Sequence, residues 1–512
     1  MEAIDRREAL KLGAFAATAA AFPALAACAK KEEPAPAPEP EPAPAPEPAP
    51  EPEPPSTEPE PVHYTIDNIR QYVVGVEEEV ELKPEEDGKP GRKVVPIGFD
   101  NAATTPAFRP VLDAVNSTML TYGAVHRGFS QKATITDGIY EETRRKVLEF
   151  VGLNPEGNEW TCFYAANTTD GINRLADAII TSPDDVVLTT RLEHHANLLT
   201  WRNRCKVIIA EPDATGRVDY DEIERKLTEN PNVKFVSVTA ASNVTGYVTD
   251  VHRVAKMAHA HGAQIIVDGA QIVAHRAFSM LGATPEENID FFAFSAHKMY
   301  APFGGGAVVG RREEFDKYMP RYVGGGIVRV VSDTWVNYKS APAIYEAGSP
   351  NFPGVVALGA AIDVLREVGF DAIQQHEQVL LRRLIDGMKK IEGMRIFGDT
   401  ESIADKTGVV TFKVAGVNTF VLGRTLSDSH GVAVRRGAFC AHPYVWWLYG
   451  LTDEEIRGFS DCDDVNTVGM IRLSFGIYNT EEEVDEFLKI LPGAIAEAAE
   501  AQNWYAYANP DY

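Results

Sequence analysis

Residues 289–306 read IDFFAFSAHKMYAPFGGG, and this stretch decides the fold. The run from Asp290 to Phe294 is apolar and aromatic, the composition of a strand buried in a sheet. It stops at Ser295, Ala296 and His297, directly before Lys298. A lysine in that position stands at a strand's carboxyl end, the edge at which open α/β sheets bind ligands. Partly desolvated there, its amine can lose a proton near neutral pH and attack a carbonyl. Gly304 to Gly306 allow the backbone to turn tightly beside it. Taken alone, the stretch equally describes a surface lysine after a strand, so the surrounding pattern has to separate the two.

Working outward, short apolar runs at Trp160 to Tyr164, Val186 to Thr189, Val207 to Ala210, Phe235 to Thr239 and Gln264 to Val267 predict strands. Helical periodicities at Thr169 to Ile180, Asp219 to Thr228 and Val251 to His261 lie between them. Strands alternating with helices predict an α/β fold with a mainly parallel sheet. Polar clusters follow the strands: Asn167-Thr168-Thr169, Glu193 to Asn197, Ser242-Asn243 and Asp268-Gly269-Ala270-Gln271. Any one is an ordinary cap or turn; together with Ser295 to Lys298 they line one edge.

Each cluster has a chemistry. Hydroxyls of Thr168 and Thr169 at the start of a helix suit a phosphate. Asp268 can pair with a protonated ring nitrogen, and His194 can stack on a flat ring and carry protons. An aldehyde cofactor with a ring nitrogen and a phosphate, joined to Lys298, satisfies all four positions, and pyridoxal 5'-phosphate is that cofactor.

The ends of the chain are different in kind. Arg6 and Arg7 precede an alanine-rich apolar run, Leu12 to Ala27, which is short for a bilayer span and ends in Leu25-Ala26-Ala27-Cys28. The paired arginines resemble a twin-arginine export signal, and LAAC resembles a lipoprotein cleavage box in which Cys28 is lipidated. Residues 1–28 are therefore expected to be an export signal. Residues 29–61, almost wholly Pro, Glu and Ala, are expected to be an extended linker reaching at most about 100 Å at polyproline rise. The expectation is a protein exported by the twin-arginine route and anchored by lipid outside the cytoplasmic membrane. Residues 62–93 form an N-terminal extension with a short helix near Ile66 to Gly75 and a strand-like run at Val76 to Leu82. A net charge of −25 disfavours nucleic acid and anionic lipid as electrostatic partners. The five cysteines have no metal-site or disulfide spacing, and no metal is expected.

Ten motifs occur in order: FDNAATTP from Phe99, VHRG from Val125, NTTDGIN from Asn167, EHHAN from Glu193, SNVTG from Ser242, DGAQ from Asp268, SAHK from Ser295, EAGSPN from Glu346, RRGAFCA from Arg435 and IRLSFGIYNT from Ile471. In these the chain resembles the fold-type I, class V aminotransferase-like enzymes that depend on pyridoxal phosphate, nearest to cysteine desulfurases and selenocysteine lyases. The resemblance implies a large domain with a mainly parallel seven-stranded sheet over residues 94–369 and a smaller C-terminal α/β domain over 370–512. It implies Lys298 as the lysine that forms a Schiff base with the cofactor, Asp268 as pyridinium partner, His194 as stacking residue and Gln271 as partner of the ring hydroxyl. Thr168, Thr169, Ser295 and His297 would hold the phosphate, with Ser349 reaching it from the second subunit of a homodimer. Asn243 and Arg472 would bind the substrate carboxylate, Arg by two parallel hydrogen bonds.

The implied reaction removes sulfur from L-cysteine, passes it to Cys440 as a persulfide and leaves alanine, with a sulfur-acceptor protein as a further partner. Cys440 is expected on a mobile loop after a strand at Gly431 to Val434. The chain departs from the resemblance at Ala438 and Phe439, where desulfurases often carry two histidines, at Asn167, where a glycine is common, and in a longer segment from Tyr444 to Gly469. The same cofactor also serves class V aminotransferases, lyases that release sulfur or selenium directly, and epimerases. A surface lipoprotein that only binds ligands is the non-enzymatic alternative, and intact Lys298, Asp268 and Arg472 argue against it.

Overall fold

The computed structural model describes residues 62–83, 90–459 and 469–508. Arg6, Arg7, Cys28, the linker at 29–61 and Asp461 to Asp464 lie outside the described residues. Seven strands build the main sheet: β1 (Trp160–Ala165), β2 (Val186–Thr190), β3 (Lys206–Ala210), β4 (Val233–Thr239), β5 (Gln264–Asp268), β6 (Phe291–Ser295) and β7 (Gly306–Arg311). Their order is β1-β7-β6-β5-β4-β2-β3. The neighbours from β6 through to β3 pair in parallel, whereas β7 is antiparallel to both β1 and β6. Because β7 reverses direction twice over, β1 runs the same way as β6. The carboxyl ends of β1, β2, β4, β5 and β6 therefore share one edge, and the polar clusters follow those ends.

Every residue of β1, β2 and β6 is buried, as a sheet covered on both faces requires. Strand β7 was not anticipated: its glycines make a weak strand signal. The contacts explain the glycines, since a Cβ on Gly306 would lie 2.6 Å from the Phe294 carbonyl oxygen and one on Gly310 would lie 2.9 Å from the rings of Phe291 and Phe315.

A second sheet consists of β8 (Met394–Phe397), β9 (Val409–Val414), β10 (Arg435–Gly437) and β11 (Met470–Ser474), ordered β8-β9-β11-β10 and wholly antiparallel. Its core takes Leu380, Leu384 and Met388 from the helix Phe370–Met388, Leu422 and Leu426 from Thr419–His430, and Phe487 and Leu491 from the C-terminal helix Glu481–Ala508. Ile97 and Phe99 also pack in this core, although the sequence places them in the larger domain. Just before the Cys440 turn, Val432–Ala433 pairs in parallel with Ile97–Gly98. The chain thus touches the C-terminal elements before it enters the main sheet.

The N-terminal extension is docked rather than loose. A 3-10 turn at Ile69–Tyr72 takes the place of the expected helix, with Ile69 fully buried. Val80–Glu81 pairs with Lys93–Val94. Arg70 donates to Glu483 at 2.8 Å and to the Tyr478 carbonyl at 3.0 Å. Residues from Val62 onward form one compact unit, and among the described residues no helix is long and apolar enough to cross a membrane.

Candidate active site

Lys298 closes a single 3-10 turn, Ala296–Lys298, directly after β6. The FDNAATTP segment straps this turn: Thr105 N donates to the His297 carbonyl at 3.0 Å, and so does Thr104 Oγ1 at 3.0 Å. Tyr300, in the left-handed region at φ 62°, donates its N–H to Thr105 Oγ1 at 2.7 Å. A bulky side chain is costly in that conformation, so the hydrogen bond and the stacking of Tyr300 on Phe108 at 4.2 Å help to hold it.

The lysine opens into a cavity of about 280 Å³ lined by Asn167, Thr168, Thr169, His194, Asn243, Asp268, Gln271, Ser295, His297, Arg435, Phe439, Cys440 and Arg472 among others. Every expected residue within the chain's own site is thereby brought together. Ser349 is not: it is exposed and lines a separate cavity of about 620 Å³ beside Gly304 to Gly306. Within its own chain it does not line the Lys298 cavity.

Each side chain is set by local structure. Helix α1 (Thr168–Ile179) is capped by Asn167, which accepts from Asp170 N. Ser295 Oγ lies 2.6 Å from Thr168 Oγ1 and accepts from Thr168 N at 2.7 Å. Helix α2 (His195–Arg202) is capped by His194, whose Nδ1 accepts from Ala196 N at 3.1 Å. That bond puts the ring proton on Nε2. Gln271 donates to the Ala102 carbonyl at 2.9 Å, and Asp268 Oδ1 accepts from Ala270 N at 2.9 Å.

The electrostatics follow from burial. Loss of water, with a smaller push from Arg472 and against the opposing charges of Asp268 and Cys440, lowers the Lys298 amine to about 8. Burial, then the nearby Lys298, lowers His194 to about 3 and His297 to about 4. Both imidazoles are therefore neutral at physiological pH. Burial raises Asp268, against the Ala270 hydrogen bond and the lysine. Beneath the cavity, fully buried Glu193 is pushed up to about 8 by burial. It accepts from Thr190 Oγ1 at 2.6 Å, Asn197 Nδ2 at 2.6 Å and Thr239 N at 3.1 Å. Those bonds tie the turn before α2 to the end of β4 and so fix His194. The sequence reading gave Glu193 no task.

The opposite wall comes from the second sheet. On β11, Arg472 stands in register with Arg435 on β10 and Thr411 on β9. Its guanidinium donates to Asp100 Oδ1 at 3.0 Å and to the Asn243 carbonyl at 3.1 Å, and it lies 5.0 Å from the Phe439 ring. Its Nε is buried and has no partner among the described residues. Asp100, the second residue of FDNAATTP, is the anion beside this arginine. The Asn243 side chain points at the Cys440 turn and donates to the Phe439 carbonyl at 2.7 Å.

The expected mobile loop is instead a pinned turn. Phe439 and Cys440 both adopt left-handed φ, 52° and 55°. Ala438, Phe439 and Ala441 are buried and Cys440 alone is exposed. Besides the Asn243 bond, His195 N donates to the Cys440 carbonyl at 2.6 Å and Ala441 N to that of Ala438 at 2.8 Å. These partners come from distant elements, which is why the sequence gives no sign of them.

Three comparisons with known proteins bear on the family. The aminotransferase class-V family matches residues 97–487; the chain belongs to that family, whose enzymes depend on pyridoxal phosphate. A probable cysteine desulfurase of Xylella fastidiosa is 33% identical over 405 residues, 77% of this chain and 90% of the relative. A cysteine desulfurase of Haloferax volcanii is 33% identical over 410 residues, covering 78% and 89%. Among solved structures, the apo cysteine desulfurase of Thermococcus onnurineus superposes with a TM-score of 0.69 at 30% identity, covering 78% of this chain and 95% of that one. A cysteine desulfurase from Escherichia coli gives 0.67 at 28% identity, covering 79% and 95%. The protein is thus a pyridoxal-phosphate-dependent, cysteine desulfurase-like enzyme of fold type I.

The residues present fit the cofactor. A buried carboxylate is available to a protonated ring nitrogen, a neutral imidazole to a ring face, hydroxyls at a helix start to a phosphate, and an amine of lowered basicity to an aldehyde.

Proposed function

We propose that the protein removes sulfur from L-cysteine and takes it up on Cys440, leaving alanine. The observation that carries this reading is the exposed Cys440 thiol lining the same cavity as Lys298 and Arg472, near enough for its charge to act on both.

When bound, pyridoxal phosphate supplies an electron sink for the substrate's α-carbon. Asp268 would hold its ring nitrogen, His194 its face, Gln271 its ring hydroxyl, and Thr168, Thr169, Ser295 and His297 its phosphate. The chain's own groups do the rest. Arg472, which lines the cavity, takes the substrate carboxylate, and Asp100 keeps the guanidinium in place. Lys298 Nζ, neutral above about pH 8, accepts the α-proton as general base. The Cys440 thiolate forms a sulfur–sulfur bond as the substrate's carbon–sulfur bond breaks. The sulfur is formally oxidised and the carbon reduced, and a proton completes the methyl group of alanine. One cysteine and one thiol thus give one alanine and one persulfide, without an external oxidant or reductant.

The test is incubation of the holoenzyme with a panel of amino acids, with substrate loss, alanine and protein-bound persulfide followed together. Alanine and persulfide from L-cysteine support the reading; pyruvate, a keto acid or a racemised amino acid would replace it.

A homodimer goes with this function, because Ser349 is exposed and lies outside the Lys298 cavity of its own chain. An exposed apolar cluster supports the dimer: Phe129 is fully exposed, and Tyr322 and Val323 are more than half exposed. Their segments are joined near Ser349, since Arg127 donates to the Gly325 and Gly348 carbonyls at 3.1 and 2.6 Å. Export by the twin-arginine route and a lipid on Cys28 complete the proposal, supported by Arg6-Arg7 and LAAC. A sulfur-acceptor protein is the expected onward partner.

A further inference from the structure

The second histidine of EHHAN and the asparagine of SNVTG have no direct part in the chemistry above. Both act on the Cys440 turn. Two consecutive non-glycine residues in the left-handed region, Phe439 and Cys440, form a conformation that is unfavourable without outside support. Support comes from two sides. Asn243, which follows β4, donates its side-chain amide to the Phe439 carbonyl at 2.7 Å, and the first residue of α2, His195, donates its N–H to the Cys440 carbonyl at 2.6 Å.

His195 does more through its ring. The helix after the turn, α3 (His442–Tyr449), receives no side-chain cap from its N-cap residue Ala441. His195 Nε2 instead accepts from His442 N at 3.3 Å, with the two rings 4.6 Å apart edge to face. The acceptor role requires a neutral ring. Desolvation, with His442 nearby, lowers His195 to about 4, which keeps it neutral. The adjacent histidines therefore divide the work: His194 lines the Lys298 cavity, and His195 holds the thiol-bearing turn to the same helix start.

We infer that Asn243 and His195 form a clamp on the strained 439–440 turn and are positioning residues that aim the Cys440 thiol at the sulfur of a bound amino acid. This rests on the cysteine desulfurase reading and refines it.

The experiment compares the holoenzyme with Asn243→Ala, His195→Ala and His195→Gln. Three quantities are read: KM for L-cysteine, single-turnover persulfide formation on Cys440, and the rate at which iodoacetamide alkylates Cys440 without substrate, located by peptide mass analysis. Loss of the buried Asn243 bond to Phe439, or of the partly buried His195 ring acceptor of His442 N just after the turn, is expected to slow persulfide formation by up to about tenfold, while the main-chain bond from His195 N remains in every variant. KM should stay within about twofold in His195→Ala, because His195 does not line the cavity and uniform binding is untouched. The alkylation rate should shift by a comparable factor, and His195→Gln, which retains an acceptor, should lie near the parent. If Asn243→Ala leaves persulfide formation at saturation and alkylation unchanged, whatever its KM, the clamp is refuted. Alkylation identical in all four proteins refutes it as well. If the parent yields no persulfide, the desulfurase reading fails on its own, and alkylation still decides the clamp.

Discussion

At the residue scale, Lys298 and Arg472 make the sharpest claims. Lys298→Ala is expected to abolish borohydride-trapped cofactor and nearly all turnover; trapped cofactor on that variant would place the attachment elsewhere. The amine also predicts a pH dependence. Its ordinary value is 10.5 and its value in the folded protein is about 8. Between these values the folded protein holds a neutral amine while the unfolded chain binds a proton, so stability of the cofactor-free protein rises with pH across that window. Cofactor uptake should accelerate through a midpoint near pH 8, followed by stopped-flow absorbance, and a midpoint near 10.5 would mean an unperturbed lysine. Arg472→Lys keeps the charge but loses the fork that grips a carboxylate. It should raise KM for L-cysteine by about tenfold or more, equivalent to roughly 1.4 kcal/mol, and an unchanged KM would assign the carboxylate to another residue.

At the element scale, the strap over the lysine turn is testable by stability. Thr105 accepts from Tyr300 N and lies 3.2 Å from the His297 carbonyl it donates to. Thr105→Val leaves a buried N–H unmet and should cost about 1–3 kcal/mol, read by urea unfolding of the cofactor-free protein; a loss below about 0.5 kcal/mol would show that the turn holds without it. The elements also show what a sequence can reveal. The six strands of the main sheet that were anticipated lie within about two residues of their expected ends, because each is a continuous apolar run closed by a polar cluster. Strand β7 escaped because glycines chosen for close backbone approach carry no hydrophobic period. The residues of the cofactor wall were legible from their places after strands. Asp100, Glu193 and His195 were not, because their tasks depend on partners hundreds of residues away or on another strand, and spacing along the chain does not encode those contacts. The supposed mobility of the Cys440 loop failed for the same reason: its anchors are Asn243 and His195.

At the scale of the whole molecule, the proposed dimer predicts complementation. A protein carrying Lys298→Ala and one carrying Ser349→Ala, mixed under conditions that exchange subunits, should form heterodimers with one intact composite site, and phosphate retention should improve over the Ser349→Ala homodimer. A monomer by sedimentation that binds cofactor fully would contradict the shared site. Export makes a separate claim: changing Arg6 and Arg7 to Lys should retain the folded protein in the cytoplasm, and Cys28→Ala should abolish lipid labelling. An anchored protein in both variants would refute the reading of the N-terminus. The most direct test of the central claim is the reaction of the Cys440→Ser holoenzyme with L-cysteine labelled in its sulfur. The proposed function predicts full cofactor loading, no label on the protein and alanine formation reduced to a small residue of the parent rate. Alanine produced as fast as by the parent would contradict it and leave a lyase that needs no thiol acceptor.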